Sequence, residues 1–142
     1  MEKGRKGNKI GIAILAAFLT AILIKLFLFD FMITEGSSML PSIKPGTIVL
    51  IVKTAYGVRL PWSGRYLVQW TVPKKGDVVV FYTPLGVTAI KRCAEVTGDQ
   101  FFARGDNHTV SFDSASYGKV SVSRIIGKAW GVPAFPYEMK EE

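Results

Sequence analysis

From Ile10 to Phe29 the chain reads IGIAILAAFLTAILIKLFLF, twenty residues in which Lys25 is the only charge. As a helix such a run rises about 30 Å, enough to cross the hydrocarbon core of a bilayer. Lys25 stands close to the end of the run, so its stem can snorkel to the interface. A cleavable signal peptide has a similar outline, a basic start followed by an apolar stretch. Here no pair of small residues stands at Ala-x-Ala spacing after the run, and four apolar residues follow Lys25, which favours an uncleaved anchor. Lys3, Arg5, Lys6 and Lys9 precede the run, with Glu2 the one opposing acid. That asymmetry predicts a cytoplasmic N-terminus and export of everything beyond Asp30. The expected organisation is a basic cytoplasmic segment over residues 1–9, an anchor over 10–31 and an extracytoplasmic domain over 32–142.

Beyond the anchor the pattern changes to short β-branched runs separated by turn residues. Thr47–Val52 follows Pro45-Gly46, and Asp77–Tyr82 is opened by Lys75-Gly76 and closed before Pro84. Val87–Val96 and Lys119–Trp130 read as longer strands, Tyr66–Val72 as an edge strand and Phe101–Ala103 as a short one. Gly and Pro fall between these runs rather than inside them, as turns require. No stretch after the anchor carries a 3.6-residue period, and there are no internal repeats. The predicted fold is mainly β: one β-barrel or folded-sheet domain preceded by a single N-terminal transmembrane helix.

Composition narrows the chemistry. The 142 residues are 49% hydrophobic and 20% charged, with a net charge of +7, which excludes a disordered chain. With no aromatic-basic stripe, the positive excess is topogenic charge and solvated surface, not a nucleic-acid site. One Cys and one His leave no disulfide framework and no His/Cys metal site of the usual spacing. Any nucleophilic catalysis that does not use His108 needs another base. Cys93 reads as a core residue and His108 as a polar loop residue. Trp62, Tyr66 and Trp70 read either as interfacial aromatics or as ordinary packing.

Three segments carry candidate chemistry. Glu35-Gly-Ser-Ser-Met-Leu-Pro41 is a loop just past the anchor that can present a serine hydroxyl, although most such loops are solvated turns. In Ala89-Ile-Lys-Arg-Cys-Ala94, Lys91 interrupts an apolar strand and faces opposite Ile90 and Arg92. An inward lysine is commonly an edge-protecting residue, but a desolvated one can serve as a base. Holding it neutral at pH 7 requires about 4.6 kcal/mol, within the reach of burial. Gly105-Asp-Asn-His-Thr-Val-Ser-Phe-Asp-Ser114 is either one more turn or a polar shell that orients the lysine.

Taken together, SMLP at Ser38–Pro41, KKGDVVVF at Lys74–Phe81, IKRCAEVTGD at Ile90–Asp99 and GDNHTVSFDSASYG at Gly105–Gly118, all after one anchor, resemble the type I signal peptidases. The resemblance runs from the anchor to about Trp130. It implies a membrane-bound serine endopeptidase with a β-only catalytic domain, removing signal peptides from exported precursors without cofactor or metal. By the same resemblance Ser38 is the nucleophile and Lys91 the general base. Ser111 helps to position the amine, and Asp113 braces the site beside Arg92. The oxyanion hole falls to the Ser38 backbone N–H, with Ser37 if its side chain turns in. Substrate would lie extended against Thr34, Glu35 and Gly36 on one side and Thr88, Ala89 and Ile90 on the other, with small pockets selecting small residues. The implied partners are precursor proteins, membrane lipid and the secretion machinery, at the cytoplasmic (inner) membrane.

The departures are specific. Only Gln100–Arg104 separate Asp99 from Gly105, where family members commonly carry an extended hairpin or subdomain. Gly36 stands where some members place an oxyanion-binding hydroxyl; a missing donor costs about 10²–10³ in rate. The family's Asp-Ser-Arg is Asp113-Ser114-Ala115 here, which leaves Arg92 as the expected partner of Asp113. Tyr56–Pro61 and its continuation through Gln69 match no core motif and are similar to the inserted region of conjugation-type pilin-processing relatives. A dedicated peptidase for one conjugation, pilus or surface substrate, and an inactive anchored β scaffold, are the alternative readings.

Overall fold

The structure is a computed structural model and describes residues 2–61 and 63–133, with side chains from residue 8 onward. Trp62, one of the three aromatics read as interfacial or packing residues, lies outside the described residues, as does the end of the expected 32–142 domain beyond residue 133. Helix α1 spans Glu2–Phe27, and its stretch Asn8–Phe27 is long and apolar enough to cross a membrane. None of that stretch is buried against the rest of the chain, as expected for a helix whose solvent is lipid.

The helix ends earlier than the apolar run. Leu28 is a turn, and Phe29–Ile33 forms strand β1, so the helix itself stops at Phe27, short of residue 31 where the expected anchor ends. Two interactions account for this. Lys53 Nζ donates to the carbonyl of Lys25 at 2.8 Å and pairs with Asp30 at 3.1 Å, covering a carbonyl that the helix end leaves unpaired. Phe29–Ile33 then pairs antiparallel with β2 (Ile48–Val52) over its whole length. A half-exposed apolar strand simply continues the hydropathy of the helix before it.

The remaining elements follow in chain order: β3 (Gly57–Arg59), β4 (Tyr66–Gln69), β5 (Val78–Tyr82), β6 (Thr88–Thr97), β7 (Gln100–Arg104), the single-turn α2 (Ser114–Tyr117), β8 (Val120–Ser121) and β9 (Ile125–Trp130). Seven strands form one curled half-barrel sheet in the order β1-β2-β9-β5-β6-β7-β8; β3 and β4 make a separate hairpin. The expected strand Lys119–Trp130 is split by a 3₁₀ turn at Val122–Arg124, started by Ser121 Oγ accepting from the Ser123 N–H.

The central strand β5 is buried on both faces. Val79 and Phe81 join Cys93, Phe101 and Ile125 in one cluster, whereas Val78 and Val80 join Met39, Ile51 and Ile90 in the other. This is why its sequence is continuously apolar instead of alternating. Cys93 is fully buried, as expected, and Tyr66 packs against the same cluster with its hydroxyl donating to the Ile125 carbonyl at 3.3 Å. Trp70 is exposed. Along β1, β2 and β9 the outer face carries exposed apolar residues, with Phe31 at 70%, Ile48 at 65% and Trp130 at 68%.

Candidate active site

The loop between β1 and β2 is tied at its base and pinned from beneath. Thr34 donates its N–H to Thr47 at 2.9 Å and accepts from Gly46 at 2.7 Å, while its hydroxyl donates to the Lys44 carbonyl at 2.9 Å. Met39 and Ile43 are buried in the core. Ser38 therefore sits on a short loop anchored on both sides, not on a mobile tether.

Strand β6 delivers Lys91 to that loop. Its amine donates to Ser38 Oγ at 2.6 Å, and the residue is only 5% exposed. Burial lowers the amine's pKa below the ordinary lysine value; the negative charges of Asp113 and Asp106 oppose the shift without cancelling it. A neutral amine on this line can accept the hydroxyl proton. Serine and lysine, 53 residues apart in the chain, are thus in direct hydrogen-bond contact.

Asp113 faces the same side. Its Oδ2 accepts from the Ser111 hydroxyl at 2.6 Å and from the Gly105 N–H at 2.9 Å, and its Oδ1 accepts from Ala115 N–H at 3.0 Å, capping α2. Burial pushes this carboxyl up, but these hydrogen bonds and the Lys91 charge together hold it below the usual aspartate value.

Arg92 corrects the expectation. Its guanidinium pairs with Asp106, not Asp113: Nε donates to Oδ1 at 2.8 Å and Nη2 to Oδ2 at 2.7 Å. Nη1 also donates to the Gly76 carbonyl at 2.8 Å, and Nη2 to the Ser42 hydroxyl at 3.3 Å. The strand's own alternation points residues 91 and 92 to opposite faces, so Arg92 turns away from the side on which Lys91 meets Ser38, while the Asp106 charge still reaches the amine. Asp106 and Ser42 are the site-supporting residues that sequence reading missed. Asp106 belongs to the quoted motif, but no spacing rule says on which face of β6 it lands.

A cleft of about 330 Å³ runs from Ser38 between the two elements, lined by Thr34 and Glu35 on one side and Thr88–Lys91 on the other. Among the described residues strand β1 has no neighbour on its far side, and β6 pairs with β7 only from Arg92 onward, so both borders offer unpaired strand edge. Because Thr34 uses its N–H and C=O on Thr47 and Gly46, the peptide groups turned to the cleft are those of Ile33 and Glu35. Gly36 is not among the lining residues; at φ 74° it makes the turn that leads to Ser38. Ser37 acts through its carbonyl, which accepts from Leu40 N–H and from Asn107 Nδ2, each at 3.2 Å.

Residues 8–101 match the family described as signal peptidase, peptidase S26. This chain is a member of that family. It is 36% identical to signal peptidase I of Buchnera aphidicola subsp. Baizongia pistaciae over 67 residues, covering 46% of this chain and 22% of that protein. It is 34% identical to the Pseudomonas fluorescens signal peptidase I over 84 residues, 58% of this chain and 29% of the relative. With the Haemophilus influenzae signal peptidase I the identity is 31% over 119 residues, 83% of this chain and 33% of the relative. The chain thus spans a third or less of the length of these signal peptidases.

In this signal peptidase family member, Gly105 is the tightest point beneath the site. A Cβ there would overlap Ser111 Oγ and come within 2.6 Å of the Ser38 carbonyl oxygen. Gly105→Ala is therefore expected to push the serine loop away from Lys91. Unfolding should become easier by about 1–3 kcal/mol, and the reactivity of the Ser38 hydroxyl should fall by about 10²-fold, since small misplacements cost that much. Thermal unfolding and an activity assay on the same preparation check both effects.

Proposed function

We propose that this chain is a membrane-anchored serine endopeptidase that removes N-terminal signal peptides from exported precursors, with Ser38 as nucleophile and Lys91 as general base. The observation that carries this reading is the 2.6 Å contact of the Ser38 hydroxyl with a buried lysine whose pKa is lowered. Family membership and the names of its relatives support the same substrate class.

The mechanism follows from the geometry. Neutral Lys91 takes the Ser38 proton as Oγ adds to the scissile carbonyl carbon. The tetrahedral oxyanion collapses, the C–N bond breaks, and the amine leaves with the proton that Lys91 returns. Water then adds to the acyl ester, passing a proton to Lys91, and a second collapse restores the serine hydroxyl. Ser111 donates its proton to Asp113 and so acts on the lysine amine through that carboxylate, whose charge reaches Lys91. Asp113 and Arg92 hold the surrounding loops.

The precursor lies in the cleft as an added strand, using backbone bonds to both unpaired edges for affinity and the cleft's small volume to select small side chains. Helix α1 places enzyme and precursor in one bilayer and raises their effective concentration. The exposed apolar face of β1, β2 and β9 suits a domain resting on that bilayer, and the basic residues before Ile10 orient the helix with its N-terminus in the cytoplasm. The working division is a cytoplasmic segment over 1–9, an anchor ending at Phe27 and an extracytoplasmic catalytic domain after it.

The test is to reconstitute the full chain in vesicles with a panel of secretory precursors and to sequence the new N-termini. Cleavage after a small residue at the signal-peptide boundary, absent with Ser38→Ala, is the expected result. Cleavage by Ser38→Ala at the wild-type rate would remove Ser38 from the mechanism. Cleavage confined to one dedicated substrate would keep the chemistry and narrow the clientele to a pilus or surface precursor.

A further inference from the structure

Asn107 holds both peptide planes that flank Ser38. Its side-chain Nδ2 donates to the Ser37 carbonyl at 3.2 Å, and its backbone N–H donates to the Ser38 carbonyl at 2.9 Å. The first bond fixes the plane between Ser37 and Ser38, the second the plane between Ser38 and Met39. The two soft dihedrals of Ser38 are thus bracketed by one residue 70 positions away in the chain.

The consequence is directional. A trans peptide unit is planar, with its C=O and N–H pointing opposite ways. Holding the Ser37 oxygen toward Asn107 therefore turns the Ser38 N–H away from it. Among the described residues that N–H has no hydrogen-bond acceptor. An N–H that is fixed in direction and left unpaired beside the serine hydroxyl is what a developing oxyanion needs, because a preorganised donor requires no reorientation during the reaction.

The carboxamide is itself oriented. Thr109 Oγ1 donates to Asn107 Oδ1 at 2.8 Å, so the amide nitrogen is the end left facing Ser37. The Asn107 carbonyl accepts from Ser111 N–H at 3.1 Å, joining the same residue to the segment that carries Ser111 and Asp113. Gly105, two residues earlier, packs against the Ser38 carbonyl oxygen, which lets the Asn107 backbone approach this closely.

We infer that Asn107 is a positioning residue for the oxyanion hole: by pinning the Ser37 and Ser38 carbonyls it aims the Ser38 N–H at the transition-state oxygen. This inference rests on Ser38 being the nucleophile. It also accounts for how a chain with Gly36 in place of a hydroxyl donor keeps a usable hole, since the remaining backbone donor is held on both sides.

The experiment compares the full-length wild type with Asn107→Ala, Asn107→Asp and Thr109→Val, each reconstituted in vesicles. The probes are one precursor, a peptide boronic acid that forms a tetrahedral adduct on serine, and the uncleavable product peptide. Asn107→Ala should lower kcat by about 10²-fold, within the range for a lost oxyanion donor, with KM changed by less than about threefold. Asn107→Asp, which keeps the shape but cannot donate, should lose at least as much. Affinity for the boronic acid should fall in parallel with kcat and product-peptide affinity should not; in Asn107→Ala and Thr109→Val, which add no charge near Lys91, the midpoint of the pH profile should stay in place. Thr109→Val leaves the Asn107 backbone bond intact and should show the same pattern at smaller size, which keeps the test decisive if Asn107→Ala folds poorly. Wild-type kcat in Asn107→Asp, a change confined to KM, or a moved pH midpoint in the uncharged Asn107→Ala would each overturn the inference. Ser38→Ala in the same series separates the two readings: if it still cleaves, the nucleophile assignment fails. If it is inactive while Asn107→Asp is fully active, only the positioning role fails.

Discussion

Lys91→Ala should reduce kcat/KM for precursor cleavage by about 10⁴-fold or more, and combining it with Ser38→Ala should cost nothing further, because groups that act as a unit do not add. Lys91→Arg should fail as well. A guanidinium stays protonated at any working pH and has no lone pair to take the serine proton. The burial that makes lysine a usable base also sets the pH dependence. Since the folded-state pKa of Lys91 lies below the ordinary value, activity should rise as pH increases through that lowered pKa and vanish as acid protonates the amine. The stability consequence has the same sign. Between the lowered pKa and the ordinary lysine value the unfolded chain binds more protons than the folded one, so folding stability rises with pH across that window. Lys91→Met should flatten this slope. A pH profile of kcat/KM and pH-dependent unfolding of the two proteins measure both effects.

Arg92→Ala should be the most destabilising single change at the site. The ion pair it breaks is buried on both sides, at 9% and 7% side-chain exposure for Arg92 and Asp106. Removing one partner leaves the other charge without compensation in a poorly solvated place, which costs about 3–5 kcal/mol. The guanidinium also joins Gly76 and Ser42 to β6, so the serine loop should loosen and activity should fall with stability. Asp106→Asn should recover part of the loss in the Arg92→Ala background, because it removes the orphaned charge. A double-mutant cycle by urea unfolding in micelles should give a coupling for Arg92 with Asp106 above about 0.5 kcal/mol, larger than that for Arg92 with Asp113. The reverse order would show that the pairing is assigned to the wrong acid.

These two sites show which features of the fold are legible in the residues alone. β5 and β6 are readable because continuous β-branched runs bounded by Lys75-Gly76 and Pro84 admit few other structures. The two adjacent charges in β6, Lys91 and Arg92, are then conspicuous, and both prove buried, on opposite faces of the strand. β1 is not readable, because Phe29–Ile33 is as apolar as the helix before it; only the pairing partner, Ile48–Val52, and the Lys53 cap decide where the helix stops. The break at Val122–Arg124 is equally hidden, since a serine cap inside an alternating segment preserves the β pattern. The partner of Arg92 fails for a different reason. Asp106 and Asp113 both follow β7 in one polar segment, and choosing between them requires knowing which face of the sheet each reaches. Sequence spacing carries no such information across a loop. Asn107 illustrates the same limit, since its role depends on hydrogen bonds to two carbonyls that no pattern of side chains announces.

The central claim is that a lysine, and not the one histidine of the chain, activates Ser38. The most direct measurement is the rate at which Ser38 becomes acylated by a reactive peptide ester, followed by mass spectrometry of the intact protein, for the wild type, Lys91→Ala and His108→Ala in identical vesicles. The account predicts acylation within a few-fold of wild type for His108→Ala, and none above background for Lys91→Ala at neutral pH. A His108→Ala protein that is not acylated, beside a Lys91→Ala protein acylated at the wild-type rate, would contradict it.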